Sequence, residues 1–282
     1  MILVTGSAGF IGRAVVAALQ KRGHEVCGAS VDLLDAAAAG RLVRSVHASH
    51  LVHLAWVTTP GEYWTSPLNR QWVGASERMF HEFADAGGTR IVSMGTCAEY
   101  DWLATGGVCD EETTPIAPAT EYGRAKAELH DRLRALSLPY VWGRLFFPYG
   151  PHERDARLIP AAIRTLMRDE VVVIRNPGIR RDFLYVDDVG EAIATFVDGD
   201  ATGAVNIGSG RAESIDCVAA TIGELMQRPQ LIRGEAGTGT EPPLVVAGTR
   251  RLSGLFGFHA GTSLTAGLLK TIDWWRRREL NA

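Results

Sequence analysis

Tyr122 and Lys126 stand four residues apart in PATEYGRAKAELHDRL, so on a helix they share one face. A lysine ammonium beside a phenol favours the phenolate and lowers the tyrosine pKa, which suits a proton donor and acceptor near neutral pH. In isolation, YxxxK is more simply a surface pair on an ordinary amphipathic helix. A second motif reverses that balance. In TGSAGFIG, Gly6, Gly9 and Gly12 recur every three residues between a strand and a helix. The first glycine permits a tight turn, the second lets the backbone approach a pyrophosphate, and the third lets helix and strand pack closely. The helix N-terminus behind them offers unpaired N–H groups and partial positive charge to phosphates. The spacing differs from the usual GxGxxG, but its place in the chain points to a bound dinucleotide.

The elements that must position these groups follow from periodicity. ILVTG (2–6) is a short apolar run stopped by glycine, and FIGRAVVAALQKR (10–22) has apolar positions at helical spacing up to Gly23. EVCGAS (25–30) is a second strand, 36–48 a helix and HLVHLA (50–55) a third strand. A helix over 69–86, a strand over 89–95, a helix from Tyr122 to about Leu136 and a strand over 140–146 continue the alternation. Apolar strands taking turns with helices imply an α/β fold, a doubly wound parallel sheet covered on both faces.

Composition narrows the partners. The chain of 282 residues is 46% hydrophobic, which suits a packed globule of one large or two modest domains. A formal net charge of -3, with no basic run longer than Arg276, Arg277 and Arg278, argues against nucleic acid. Cys27, Cys97, Cys109 and Cys217 lie far apart without CxxC spacing, so neither a metal site nor a disulfide framework is expected, and a reducing compartment fits. The chain opens directly into ILVTG, and no apolar run reaches about 18 residues, so no signal peptide and no membrane partner are expected. A cytoplasmic location is the expectation.

Residue 30 bears on the identity of the dinucleotide. An acid at the end of the second strand accepts hydrogen bonds from both ribose hydroxyls of NAD and would repel a 2′-phosphate. That position holds Ser30, which removes the repulsion and can donate to a phosphate. Arg13, directly after Gly12, could add positive charge, although a solvated helix arginine is the plainer account. These features favour NADP(H), with NAD(H) as the alternative.

Across nearly the whole chain the sequence resembles the extended short-chain dehydrogenase/reductases, the NAD-dependent epimerase/dehydratase group that acts on nucleotide sugars. The resemblance is carried by TGSAGFIG, DLLD (32–35), LVHLA (51–55), YGRAK (122–126), RLFFPYGP (144–151), RLIP (157–160), RRDFLYVDDV (180–189), VNIGSG (205–210) and GTSLTAGLLKTIDWW (261–275). It implies a Rossmann-type domain over residues 1–150, to which 176–205 return, and a smaller substrate-binding domain from 151–175 and 206–282. The cleft would lie between them, at the carboxyl ends of the strands. It further implies that Gly6, Gly9, Phe10, Ile11, Gly12, Ser30, Leu54, Ala55, Tyr122 and Lys126 hold the cofactor, with Asp32 and Leu33 bordering the adenine. The passage from the second strand almost directly into DLLD is similar to the short-looped reductases of the group. A homodimer through the helices around 70–86 and 121–136 is also implied.

The resemblance adds a third catalytic group, a Ser or Thr four residues before a tyrosine. In SMGTCAEY these are Thr96 and Tyr100, with Ser93 as the competing hydroxyl. Thr96 would hydrogen-bond the substrate oxygen that becomes charged during hydride transfer. The sugar 4,6-dehydratases carry Asp and Glu next, where this chain has Cys97 and Ala98, so elimination of water is not expected. In the branch that epimerises and reduces, such as GDP-fucose synthase, a cysteine and a histidine occupy the positions of Ala98 and Arg157. Cys97 is one residue out of register and on a strand would face the other way. Plain hydride transfer remains: reduction of a keto group on a nucleotide-linked deoxysugar, probing as alternatives a 4-epimerase with tightly held NAD or a reductase of a non-sugar ketone. A catalytically silent cofactor sensor is disfavoured by the Tyr–Lys pair.

At the substrate end, resemblance assigns Thr96, Phe147, Arg157 and Arg181. Phe147 replaces the asparagine of RxFNxxG, Arg181 matches a pyrophosphate-binding arginine, and Glu241 stands about where a second arginine is expected. Arg250 and Arg251 come too late to align with it, and His152, Arg154 and Arg157 could compensate. Trp56, Trp64, Trp72 and Trp102 flank the cleft, chiefly as core or rim.

Overall fold

Six strands pair in parallel in the spatial order Gly203–Ile207, Tyr140–Leu145, Arg90–Thr96, His50–His53, Ile2–Thr5, Val26–Gly28. This computed structural model describes residues 1–29, 31–104, 106–176, 178–235, 237 and 241–280. Ile2–Thr5 and Arg90–Thr96 are buried at every position. Burial from both sides explains why the sheet's strands are apolar runs rather than alternating ones.

The helices are α1 (Phe10–Lys21), α2 (Ala36–Val46), α3 (Leu68–Asp85), α4 (Glu121–Arg134), α5 (Leu158–Met167), α6 (Val186–Asp198), α7 (Ile215–Leu225), α8 (Arg250–Phe256) and α9 (Leu264–Leu280). Val15 and Leu19 of α1 join Ile193 and Phe196 of α6 in one core cluster with Val4, Val52 and Val141 of the sheet. Val43, Met79, Phe80, Leu129 and Leu133 of α2, α3 and α4 form another with Leu3, Leu51 and Ile91. The alternating inward side chains of the same strands therefore feed two cores, which is the doubly wound arrangement. Asp35 starts α2 by accepting from the Ala37 and Ala38 N–H groups, and Thr120 starts α4 by accepting from Gly123 N–H.

The chain reverses its direction of winding between Ile2–Thr5 and His50–His53, because the second strand takes the sheet edge and the third pairs on the other side of the first. A crevice opens at the carboxyl ends of strands at such a switch. The second strand is three residues long, with Ala29 N–H donating to Val4 O just beyond it at 2.8 Å. Ser30, on which the NADP(H) expectation turns, lies outside the described residues.

Residues beyond the fifth sheet strand build a second body of packing. Phe183–Tyr185 pairs with Phe147–Tyr149, and Leu244–Ala247 joins Arg180–Arg181 to Val108–Cys109. Ile163, Leu166, Val218, Ile222, Leu268, Ile272 and Trp275 form a core of their own between α5, α7 and α9. Among the described residues no helix is long and apolar enough to cross a membrane.

Candidate active site

The glycine turn presses against the third strand. Gly6 has φ +68°, and a Cβ there would come 3.0 Å from Ala55 N. A Cβ on Gly12 would come 2.0 Å from Gly6 O, so only glycine lets α1 begin this close to the turn. Gly9 caps α1 without a side-chain hydrogen bond, and the first turn carries no acid. The result is a bare helix start of the kind that receives phosphate. Phe10 and Ile11 are partly buried behind it, and Leu54 and Ala55 both donate to Thr5 Oγ1, at 3.2 and 3.3 Å. Leu33 is buried, while Asp32 is exposed and accepts from Leu34 N–H. The absence of a Cβ at three successive approaches, together with an uncapped helix, fits a dinucleotide pyrophosphate. The charge of Arg13 also helps to lower the pKa of His152, after burial.

Thr96, Tyr122 and Lys126 meet at the carboxyl end of the fourth sheet strand. Thr96 closes that strand and caps a single 3-10 turn, Cys97–Glu99: its Oγ1 accepts from Ala98 N–H, and the Glu99 carboxylate accepts from Thr96 N–H at 2.8 Å. Helix α4 seats directly on this turn, since a Cβ on Gly123 would come 2.3 Å from Ala98 O. This seating brings the Tyr122 phenol close enough to the Thr96 side chain for Thr96 to lower its pKa. Ser93 lies back in the strand, fully buried, with no partner for its Oγ. Cys97 and Ala98 are in the turn rather than on a strand, so the alternation of strand faces does not decide where Cys97 points. Both are buried, and burial pushes the Cys97 thiol well up.

The surroundings of the phenol and of the lysine differ from what their spacing alone conveys. Burial pushes the Tyr122 pKa up, the neighbouring Tyr63 adds to this, and Thr96 only partly opposes it. Lys126 Nζ donates instead to Met94 O at 2.8 Å and lies 3.8 Å from the Trp56 ring centroid. Burial lowers the lysine to about 7, with Glu99 opposing. A lysine that has surrendered its hydration is itself costly to charge.

Several residues of the site have no local sequence signal. Glu99 is fully buried and takes hydrogen bonds from Trp142 Nε1 at 3.1 Å and Arg144 Nε at 2.7 Å. Arg144 passes the network to Tyr100, whose hydroxyl donates to Asn206 Oδ1. Tyr63, from the stretch after the third strand, meets Tyr122 edge-on at 4.9 Å, and Trp64 meets it edge-on at 5.8 Å. Asn69 ties that stretch down by donating to Tyr63 O and accepting from Trp56 Nε1. The T-x-x-E pattern of Thr96 and Glu99 was the one signal that could have found the turn.

At the substrate end, Phe147 lies under the Arg181 guanidinium, 5.5 Å from it. Arg181 is buried and already engaged: Nη1 donates to Arg180 O and Pro242 O, and Nη2 donates to Glu241 Oε2 at 2.8 Å. Arg157 reaches the other side, donating to the Tyr63 hydroxyl at 3.4 Å. Arg250 and Arg251 pair with Asp110 and Glu112. Trp102 donates to Cys97 O, and Trp72 packs on Trp56, so these indoles serve as frame.

Known proteins share both the sequence pattern and the fold. UDP-glucuronic acid decarboxylase 6 of Arabidopsis thaliana is 27% identical over 86% of this chain and 78% of its own length. The solved structure of MoeE5 with UDP-glucuronic acid and NAD is 27% identical, with a TM-score of 0.85 over 98% of this chain and 99% of that one. MoeE5 with UDP-glucose and NAD is 28% identical, with a TM-score of 0.85 over 99% of both chains. The family model described as the NAD dependent epimerase/dehydratase family matches residues 2–208, the stretch that holds the glycine turn, Thr96, Tyr122 and Lys126. With motifs, fold and site agreeing, this chain belongs to the NAD dependent epimerase/dehydratase family.

Proposed function

We propose that this protein transfers hydride at a carbinol or keto carbon of a nucleoside-diphosphate sugar, with NAD as its resident cofactor. The observation that carries the reading is the meeting of Thr96, Tyr122 and the buried Lys126 where α4 seats on the turn that ends the fourth sheet strand. The glycine turn, the start of α1 and the ends of the first and third strands would hold the dinucleotide, and Lys126 would face its ribose. Bound there, a nicotinamide supplies the hydride acceptor and donor. Tyr122 would exchange a proton with the substrate oxygen, taking it from the hydroxyl as hydride leaves the carbinol and returning it as hydride comes back to the keto carbon. Thr96 Oγ1 is fixed by Ala98 N–H and orients that oxygen. Cys97 and Ala98 offer no acid and base for elimination of water.

The nucleotide sugar is supported by the ligands of MoeE5 and by the named substrate of the decarboxylase. Both MoeE5 structures contain NAD, which favours NAD over the NADP(H) suggested by residue 30. With NAD retained, oxidation followed by return of hydride to the other face makes a 4-epimerase the first reading. Ser30 keeps a ketoreductase using NADPH as the second. Release and mass-spectrometric counting of nicotinamide from the purified protein separates them. Near-stoichiometric NAD is the expected result, whereas an empty protein that prefers NADPH would move the assignment to the ketoreductase.

A further inference from the structure

Arg181 and Glu241 make an unequal pair. The arginine side chain is 7% exposed and the glutamate 64%, with Nη2 and Oε2 2.8 Å apart. Two backbone carbonyls, Arg180 O and Pro242 O, hold the guanidinium in place whatever Glu241 does. The Phe147 ring lies on one side of it, and Cys97, next in the chain to Thr96, is within its electrostatic reach. The arginine thus belongs to the site floor, while its carboxylate partner stands at the solvent edge.

The energetics of the two partners differ accordingly. An exposed carboxylate that swings into water loses little, because a solvated ion pair is weak. A buried guanidinium left without an anion loses much more. Arg181 can therefore give up Glu241 at low cost only when another anion takes its place.

We infer that Glu241 is a displaceable counter-ion that occupies the diphosphate anchor and sets its selectivity, exchanging with a phosphate of the incoming nucleoside diphosphate. This inference rests on the proposed nucleotide-sugar reading. Glu241 makes the anchor self-satisfied between turnovers and penalises any ligand too weakly charged to replace it. Its own charge, displaced but nearby, also weakens the bound diphosphate, so its removal should tighten that ligand selectively.

Isothermal titration of UDP, GDP and dTDP, each beside its parent nucleoside, compares the full-length protein with Glu241→Gln. The expected result is tighter diphosphate binding in the variant, on the order of 3- to 10-fold, with nucleoside affinity unchanged. Glu241→Asp, which keeps the charge on a shorter arm, should fall between them and serves if the glutamine variant does not fold. Equal or weaker diphosphate binding in the variants would overturn the inference alone. Parallel gains for nucleoside and diphosphate would also overturn it, since they would mark a change of pocket shape. Failure of every nucleoside diphosphate to bind the unaltered protein and the variants would overturn it together with the functional reading beneath it.

Discussion

The Lys126 ammonium stands 3.8 Å from the centroid of the Trp56 ring, with its proton donated to Met94 O. This clamp holds the lysine between the third and fourth sheet strands, away from water and close to the Tyr122 side of α4. Its pKa is lowered from 10.5 to about 7 by burial. The unfolded chain keeps that proton up to about pH 10.4, so between pH 7 and that value it binds more protons than the fold does. Stability from this group is therefore present at high pH and is lost as pH falls towards 7. Lys126→Met should gain stability relative to the unaltered protein as pH drops across this window, by on the order of 3–5 kcal/mol. Urea denaturation of both proteins between pH 7 and 10 measures the difference, and a pH-independent gap would contradict the assignment.

Tyr122→Phe removes the hydroxyl proposed to exchange the proton but keeps the ring that packs edge-on against Tyr63 and Trp64. Turnover should fall by about 10²–10⁴-fold, with NAD affinity unchanged. Single-turnover hydride transfer, followed by nicotinamide absorbance, separates the chemical step from binding. A variant that loses cofactor affinity in proportion to rate would show that Tyr122 acts in binding instead.

The parts of this site that were legible in the sequence are those held by local spacing. Glycines three apart, a tyrosine and lysine four apart and apolar runs broken by turns each report geometry fixed within one element. Hence the parallel sheet, the glycine cradle and the shared face of Tyr122 and Lys126 could be placed. The electrostatics of that face could not, because Met94 on the fourth sheet strand and Trp56 in the stretch after the third both engage the lysine from distant parts of the chain. Strand alternation likewise failed at Cys97, where the Thr96 and Glu99 capping pair ends the strand one residue earlier. Glu241 could be noted as a replacement, but its contact with Arg181 spans 60 residues of chain and depends on tertiary pairing.

Glu99 and Arg144 form the buried pair beneath the site, with side chains 0% and 4% exposed and Nε to Oε2 at 2.7 Å. Glu99 also accepts from Thr96 N–H, so one carboxylate balances the arginine and fixes the backbone of Thr96. Glu99→Gln leaves the arginine charge uncompensated and should destabilise the protein by about 3–5 kcal/mol. Arg144→Met alone strands the carboxylate and should cost a similar amount, whereas the double change should cost less than the two summed. Denaturant midpoints of the four proteins test the coupling, and strict additivity would mean that the two charges are satisfied independently.

His130 offers a pH-dependent measurement outside the site. Its imidazole stacks on Trp142 at 5.1 Å, and Nε2 is buried without a hydrogen-bond partner. Burial lowers its pKa from 6.5 to about 3, and Arg144 and Arg134 add to the effect. The unfolded chain takes up this proton near pH 6.5 and the fold does not until about pH 3, so stability from the neutral ring is lost as pH falls through that interval. His53, lowered to about 3 by burial and by Lys126, has the same sign, but its two ring nitrogens pair with Thr5 and Ser76. His130 has no such bond at Nε2, so His130→Phe can keep the stack on Trp142 while removing the titration. The variant should match the unaltered protein at pH 7 to within about 1 kcal/mol and lose less stability on acidification to pH 4, by a few kcal/mol. Thermal unfolding across pH 4–7 reads this directly, and parallel curves for the two proteins would show that His130 becomes protonated without cost inside the fold.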